Sequence, residues 1–185
     1  QMPVEAVNFS LWIAAGSILE QDFINGMAHF LEHMVFKGTD RLCTGEFERI
    51  VEQCGGTTNA MTSQDYTCFY VTTAPDDFAA IAPLQCDLLL QPIFPGDEFE
   101  QERRVVLEEI RRAADQSRRR IFAQMMETTF QQLPYRRSVL GPARVIESLE
   151  VAQMREFHQT WYHPQRMTAV VVGNLPTEKM VDCIE

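Results

Sequence analysis

Two histidines and a glutamate in the segment His29-Phe30-Leu31-Glu32-His33 have types and spacing that could bind a metal ion. On a helix, residues i and i+4 lie on one face about one turn apart, so both imidazoles can reach a single ion. Two nitrogen ligands in this arrangement suit tetrahedral Zn²⁺. Glu32 lies on the same side of the helix, where its carboxylate could hold a metal-bound water and accept its proton. The segment therefore predicts half of a hydrolytic metal site.

The surroundings of these residues favour metal binding over the ordinary alternative, two polar histidines beside a protein core. The chain has four histidines in all, and two of them have this spacing around a glutamate. Residues 26–39 are helical in pattern and mostly apolar, with Gly38 suited to the C-terminal end of the helix. Polar side chains on such a helix are costly unless they have partners. The pattern H-x-x-E-H is also the inverzincin signature.

A third protein ligand must come from another part of the chain, because two histidines leave a catalytic zinc one ligand short. The acidic segment 97–110 offers several glutamates, and Glu102 and Glu109 are two helical turns apart on a shared face. A solvated, charged helix explains most of these residues equally well. Spacing alone leaves Glu102, Glu108 and Glu109 open as alternatives.

The chain resembles the pitrilysin/insulinase family of zinc peptidases, which includes the mitochondrial processing peptidases and insulin-degrading enzyme. In that family a ligand glutamate follows the second histidine of H-x-x-E-H at a spacing that Glu109 matches, 76 residues after His33. The resemblance implies that His29, His33 and Glu109 bind one Zn²⁺ ion and that Glu32 is the general base. Glu102 matches a second family glutamate, seven residues before the ligand. This match implies that Glu102 holds a metal ligand or the water network in place without binding the metal itself.

A second matching segment, residues 55–67, resembles the family's Gly-Gly…Asn-Ala strand, an edge strand beside the zinc. An extended peptide can add to such an edge through main-chain hydrogen bonds. The resemblance therefore implies substrate binding at Asn59 and Ala60. The chain departs from the family at residues 133–136, where Leu-Pro-Tyr-Arg replaces His-Pro-Tyr-Gly.

The fold class expected from the pattern is α+β, in two layers, because strands and helices are both present without regular alternation. The resemblance implies a mostly antiparallel sheet backed by helices, the metallopeptidase domain of the processing-peptidase type. We expect residues 1–185 to form a single N-terminal catalytic domain, truncated at both ends and part of a longer protein. In the family a later domain supplies further substrate contacts, which implies a second homologous domain or subunit that completes the chamber.

Several local expectations concern the elements that position these residues. A helix from about Thr44, as its N-cap, runs to Cys54. Pro83 should kink or split the helix that follows. One long helix spans residues 97–130, and residues 167–172 form a buried strand. The two remaining histidines, His158 and His163, are expected at the surface without a metal role.

Composition excludes some partners and indicates a compartment. A net charge of −10 argues against nucleic acid, and no segment is long and apolar enough to span a membrane. Five scattered cysteines without a C-x-x-C pair indicate reduced thiols, so we expect a soluble protein of a reducing compartment, the cytoplasm or an organelle interior. The arginines within residues 111–120 are interpreted as a solvated helix face, with a partner contact as the alternative.

The sequence therefore predicts a zinc-dependent metalloendopeptidase that hydrolyses peptides or unfolded segments, with Glu32 as general base on a zinc-bound water. The alternative is a non-catalytic structural or binding subunit of a peptidase-like assembly. A third expectation is that the isolated chain, without its partner domain, is inactive.

Overall fold

One antiparallel sheet forms the centre of the computed structural model, which describes residues 5–184; residues 1–4 and 185 of the predicted domain lie outside the described residues. The strands are β1 (Val7–Ile13), β2 (Thr57–Thr62), β3 (Thr67–Thr73) and β4 (Met167–Gly173). Their order is β2-β3-β1-β4, and each neighbouring pair is antiparallel. The predicted antiparallel sheet is confirmed, with β2 and β4 as its edges.

Helices pack against this sheet around one apolar core. They are α1 (Met27–Val35), α2 (Glu46–Gln53), α3 (Phe78–Leu90), α4 (Gly96–Asp115), α5 (Ser117–Thr129), α6 (Ala143–Ser148), α7 (Val151–Trp161) and α8 (Thr177–Asp182). The apolar side chains of β1 at alternate positions, Val7, Phe9, Leu11 and Ile13, are buried on one face of the sheet, and Ser10 is buried as well. One of them, Phe9, meets Phe78 of α3 edge to face, with ring centroids 6.0 Å apart. The two-layer α+β prediction is therefore confirmed.

The predicted long helix over residues 97–130 is wrong, because the chain breaks at Gln116. This residue has an extended conformation, φ −89° and ψ 106°, so α4 ends and α5 begins in a new direction. Helix α4 buries Phe99 and Val106 in the core, whereas α5 has no buried residue. The segment around Gln116 contains no Gly or Pro, and the helical pattern of the sequence continues through it. The pattern therefore did not indicate the break.

Two further local predictions concern α3 and α2. Pro83 does not split α3, which continues from Phe78 to Leu90 with Ile81 and Leu88 packed into the core, and a kink at Pro83 stays a prediction. Thr44 is not the N-cap of α2, since Gly45 holds that position with a φ of 73°. The hydroxyl of Thr44 instead donates to the Lys37 carbonyl over 3.1 Å.

Strand β4 was expected to be buried, and it is largely exposed. It pairs only with β1, at the edge of the sheet, and its apolar side chains remain accessible; Val172 is 66% exposed. Among the described residues, this run of valines therefore forms an exposed edge strand. Within residues 5–184, every helix is too short or too polar to cross a membrane.

Candidate functional site

Helix α1 carries three of the predicted site residues and is held by its apolar side. Phe30, Leu31, Met34 and Val35 are fully buried. Phe30 stacks on Phe99 of α4, with ring centroids 4.6 Å apart. Helix α1 also contacts β2, so it lies between that edge strand and α4. The remaining, polar side of α1 faces the space that these two elements share.

The start of α1 is capped by a buried glutamate that the sequence did not indicate. Glu20 accepts hydrogen bonds from the backbone N–H groups of Gly26 and Ala28, each 2.8 Å, and from Asn25 Nδ2, 2.7 Å. These bonds occupy donors that a helix N-terminus otherwise leaves unpaired. Asn25 Nδ2 also donates to the Ser138 carbonyl over 2.9 Å, which connects the helix start to the loop before α6.

Two glycines allow this loop to touch the start of α1. Gly26 has a φ of 100°, and a Cβ there would lie 2.7 Å from the Leu140 carbonyl oxygen and 3.0 Å from Gly141 Cα. A Cβ on Gly141, φ 73°, would lie 2.2 Å from the Asn25 carbonyl oxygen. Any side chain at either position would therefore move backbone.

His29, His33 and Glu109 come together at distances that suit one metal ion. His29 Nε2 lies 3.4 Å and His33 Nε2 3.8 Å from Glu109 Oε2, and the three ligand atoms all lie within 4.8 Å of one another. Tetrahedral ligands at about 2.0–2.1 Å from Zn²⁺ are roughly 3.4 Å apart. The spacing of the donor atoms therefore fits a zinc ion at their centre.

The second ring nitrogen of His33 contacts Glu102. His33 Nδ1 lies 3.1 Å from Glu102 Oε2, and Lys37 Nζ lies 2.6 Å from Glu102 Oε1. The hydrogen bond from His33, together with the charge of Lys37, lowers the pKa of Glu102. A carboxylate can only accept, so Nδ1 carries the proton and Nε2 presents its lone pair to the ligand centre.

His29 is kept neutral by its surroundings. The residue is 8% exposed, and its pKa is lowered to about 3. Burial is the larger cause, and electrostatic repulsion from His33 is the smaller one. Its Nδ1 is buried and meets no hydrogen-bond partner in the described part of the chain. Two imidazole nitrogens and one carboxylate oxygen form a donor set that fits Zn²⁺ and leaves a fourth position open.

Glu32 lies beside this group and is oriented by β2. The Thr62 hydroxyl donates to Glu32 Oε2, and Thr62 Oγ1 lies 3.4 Å from the Thr67 hydroxyl, which donates to the Ala15 carbonyl over 2.9 Å. Burial raises the pKa of Glu32, and the bond from Thr62 opposes the rise. A carboxylate with a raised pKa is a stronger base, which suits proton transfer near neutral pH.

Asn59 and Ala60 lie on β2, at the free edge of the sheet. Side chains alternate between exposed and half-buried along this strand. The Ala60 N–H donates to Asn59 Oδ1 over 2.9 Å and not to β3. This N–H therefore points to the open edge, where an added strand would bind.

The prediction for the other two histidines is half right. His163 is exposed, whereas His158 is 8% exposed and its Nε2 lies 2.7 Å from the Leu89 carbonyl oxygen. The metal-ligand group found among the described residues does not include His158.

Sequence reasoning missed three supporting residues: Glu20, Lys37 and Thr62. The position of Lys37 could have been predicted, since it follows His33 by four residues and so lies near the same face of the helix. Thr62 shares the half-buried face of β2 with Ala60, which the two-residue period could have shown. Nothing in the sequence marks Glu20 as a cap, because the intervening loop determines its position.

Comparisons with known proteins show the family of the chain. The family model described as insulinase, peptidase family M16, matches residues 1–143, and the model of the peptidase M16 inactive domain matches residues 148–185. The chain is 32% identical over 184 residues to a probable mitochondrial-processing peptidase subunit beta of Arabidopsis thaliana, covering 100% of this chain and 35% of that protein. It is 31% identical over 178 residues to an uncharacterized zinc protease of Mycobacterium leprae, covering 96% of this chain and 40% of that protein.

Solved structures show the same fold. A protease from Helicobacter pylori superposes with a TM-score of 0.95 at 28% identity, covering 98% of this chain and 44% of the other. The periplasmic protease PqqL from Escherichia coli superposes with a TM-score of 0.89 at 28% identity, covering 97% and 21%. The chain thus spans less than half the length of each of these relatives.

Proposed function

The chain belongs to the insulinase family, peptidase family M16, and from this premise we propose that it carries the catalytic site of a zinc metalloendopeptidase. The observation that carries the proposal is the convergence of His29, His33 and Glu109 at ligand distances beside the Glu32 carboxylate. We further propose that residues 1–185 form one N-terminal catalytic domain of a longer protein.

The chemistry follows from the positions of these side chains. His29, His33 and Glu109 would hold a Zn²⁺ ion, which supplies a Lewis acid that polarises a peptide carbonyl and acidifies water. Thr62 holds Oε2 of Glu32, which leaves Oε1 to accept a proton from the attacking water and return it to the leaving amine. Glu102 orients the His33 ring throughout.

The substrate proposed for this site is an extended peptide or an unfolded segment. It would pair with the free edge of β2, and one of its carbonyl oxygens would accept a hydrogen bond from the Ala60 N–H. This bond would replace the one that the Ala60 N–H now donates to Asn59 Oδ1. Main-chain pairing of this kind recognises an extended backbone and requires little of its side chains. An unfolded segment can supply such a strand anywhere along its length, so unfolded substrates are favoured.

Two wider features belong to the same proposal. Because the chain covers 35–40% of its curated relatives, we propose that a second homologous domain or subunit completes the chamber. We also propose a reducing compartment, since all five cysteines are unpaired. Burial raises the pKa of the Cys68 thiol to about 11, which keeps it unreactive.

The decisive experiment replaces the base and keeps the ligands. In the full-length protein, Glu32→Gln should lower the hydrolysis of a quenched fluorescent peptide by about 10²–10⁴-fold, the usual contribution of a general base. Metal analysis should find one zinc per catalytic domain in both the parent and the variant. A chelator should abolish the activity of the parent.

Glu108→Gln is the matched control, since it removes the same charge from a half-exposed carboxylate that pairs with Arg111 and Arg112. It should leave activity unchanged. Full turnover by Glu32→Gln would refute the role of Glu32. Stoichiometric zinc without any hydrolysis by the full-length parent would instead support a non-catalytic binding subunit.

A further inference from the structure

A cavity of about 620 Å³ lies between the end of α4, helix α5 and the loop before α6. Its volume is in the range of ligand-binding pockets. Five arginines and one glutamate are among its lining residues. The arginines are Arg118, Arg119, Arg120, Arg136 and Arg137. We call this feature the arginine cavity.

The arginine cavity adjoins the candidate metal centre. Gln64 lines it and follows Thr62, which holds the base, by two residues. Ile110 also lines it and directly follows the candidate ligand Glu109. Consecutive Cα atoms are 3.8 Å apart, so the cavity begins within one or two residues of the reacting groups. A peptide paired with β2 that continues past Thr62 would run toward Gln64, one of the lining residues.

The arginines retain unused hydrogen-bond donors. Within residues 5–184, no carboxylate forms an ion pair with any of the three arginines at the start of α5, residues 118–120. Arg136 and Arg137 share one carboxylate, that of Asp22, at 2.9 and 2.8 Å. A guanidinium has five donors, so one shared carboxylate leaves most of them free. Positive charge is thus concentrated here in a chain whose net charge is −10.

We propose that the arginine cavity is a specificity pocket for an acidic side chain, Glu or Asp, of the peptide substrate. The proposal rests on the proposed function, since it places that side chain beside the bond to be cleaved, on the part of the peptide beyond β2. Guanidinium groups bind carboxylates through paired, charge-assisted hydrogen bonds and repel lysine or arginine at the same position. Phe122, Met126 and Leu140 supply apolar surface for the methylene groups.

The test measures binding separately from turnover. The full-length, zinc-loaded protein with Glu32→Gln is titrated with fluorescein-labelled ten-residue peptides that differ in one residue, Glu, Gln or Lys, scanned through the sequence. At one or two adjacent positions the Glu peptide should bind about tenfold more tightly than the Gln peptide, a 1.4 kcal/mol difference in affinity. The Lys peptide should bind more weakly than both.

A triple variant assigns this preference to the cavity. R118Q/R119Q/R120Q should abolish the Glu-over-Gln preference and leave the affinity for the Gln peptide within about twofold, since neutral contacts are unchanged. The matched control is R41Q/R49Q/R144Q, which removes the same charge from exposed arginines outside the cavity. It should retain the preference. Circular dichroism of both triple variants checks that each is folded.

The outcomes separate the two proposals. Equal affinities for the Glu and Gln peptides at every position would overturn the specificity pocket. An equal loss of preference in both triple variants would overturn it too, because net charge would then be the cause. Absence of hydrolysis by the Glu32-intact protein would overturn the proposed function instead, whatever the binding data show.

Discussion

Helices α1 and α5 both contact α4, the helix that carries the candidate ligand Glu109, and they differ in how far the fold encloses them. Helix α1 buries seven of its nine residues, and one of the seven is the candidate ligand His29. Helix α5 buries none of its thirteen residues and presents three arginines together with exposed apolar side chains such as Ile121 and Phe122. One helix is part of the core, and the other rests on the surface.

The difference matches two kinds of task. The positions of metal ligands must be held within a fraction of an ångström. The ligands therefore need neighbouring side chains that pack against them and hydrogen bonds that fix their orientation. A surface that binds varied peptides needs accessible, adjustable side chains instead. Four comparisons of substituted proteins can test whether the site residues depend on the enclosed helix and its neighbours more than on the open one.

The largest difference is expected between two equivalent substitutions, Phe30→Ala in α1 and Phe122→Ala in α5. Phe30 is fully buried and stacked on Phe99, so its loss should lower the free energy of unfolding by about 3–5 kcal/mol. Phe122 is 52% exposed, and its loss should cost less than about 0.5 kcal/mol. Urea denaturation of the two variants measures both values. Similar losses would show that α5 is enclosed as firmly as α1.

Next in size is the effect of Glu102 on zinc. Glu102→Gln removes the charge that faces His33 Nδ1 and Lys37, so zinc affinity should fall by about 10–100-fold. Glu127→Gln, which alters an exposed carboxylate at the rim of the arginine cavity, should leave it unchanged. Competition with a chelator of known affinity measures both. An unchanged zinc affinity in the Glu102 variant would mean that the charge of Glu102 is not needed to orient the ring of His33.

A smaller effect concerns the pH dependence of stability in the zinc-free protein. The pKa of His29 is lowered to about 3 in the folded chain, against about 6.5 in an unfolded one. Between these values the unfolded state binds a proton that the folded state does not, so stability is lost as the pH falls below 6.5. We expect about 1–2 kcal/mol of loss from His29 between pH 7 and pH 5.

Urea denaturation at both pH values tests this expectation. His29→Gln should reduce the loss, whereas replacing the exposed His163 with Gln should not. Buried His158 also has a lowered pKa because of desolvation, so some pH dependence should persist in the His29 variant. Identical pH profiles for His29→Gln and the parent would contradict the burial of a neutral imidazole.

The smallest expected effect is that of Thr62, which acts only through Glu32. Thr62→Val removes the hydrogen bond to Glu32 Oε2, so kcat should fall about tenfold while zinc content stays the same. Thr57→Val on the same strand changes an exposed hydroxyl and should not affect kcat. Peptide hydrolysis and metal analysis together give the answer. Loss of zinc in the Thr62 variant would indicate disrupted structure and not a misplaced base.

The predictable part of the site is the part set by local geometry. His29, Glu32 and His33 share one helical face, so their proximity follows from the period of the helix alone. Glu109 required the family resemblance, because spacing left Glu102 and Glu108 equally open. The sheet and the fold class were likewise predictable from strand patterns and that resemblance.

The remaining features depend on distant contacts. Thr62 meets Glu32 across thirty residues of sequence, and Glu20 caps α1 only because the loop between them turns back. The break at Gln116 and the exposure of β4 both depend on where the core ends. These outcomes follow from the packing of the whole chain, which no local pattern contains.

The contact between Gly26 and Gly141 has a consequence for directed evolution of specificity. Gly141 lines the arginine cavity and also touches the start of α1, so a side chain there would displace the helix that carries both histidines. Mutant libraries should keep positions 26 and 141 as glycine and concentrate diversity on the open surface of α5. Under the two proposals, variation in α5 would change which peptides are accepted and leave the candidate metal ligands in place, because no residue of α5 is buried.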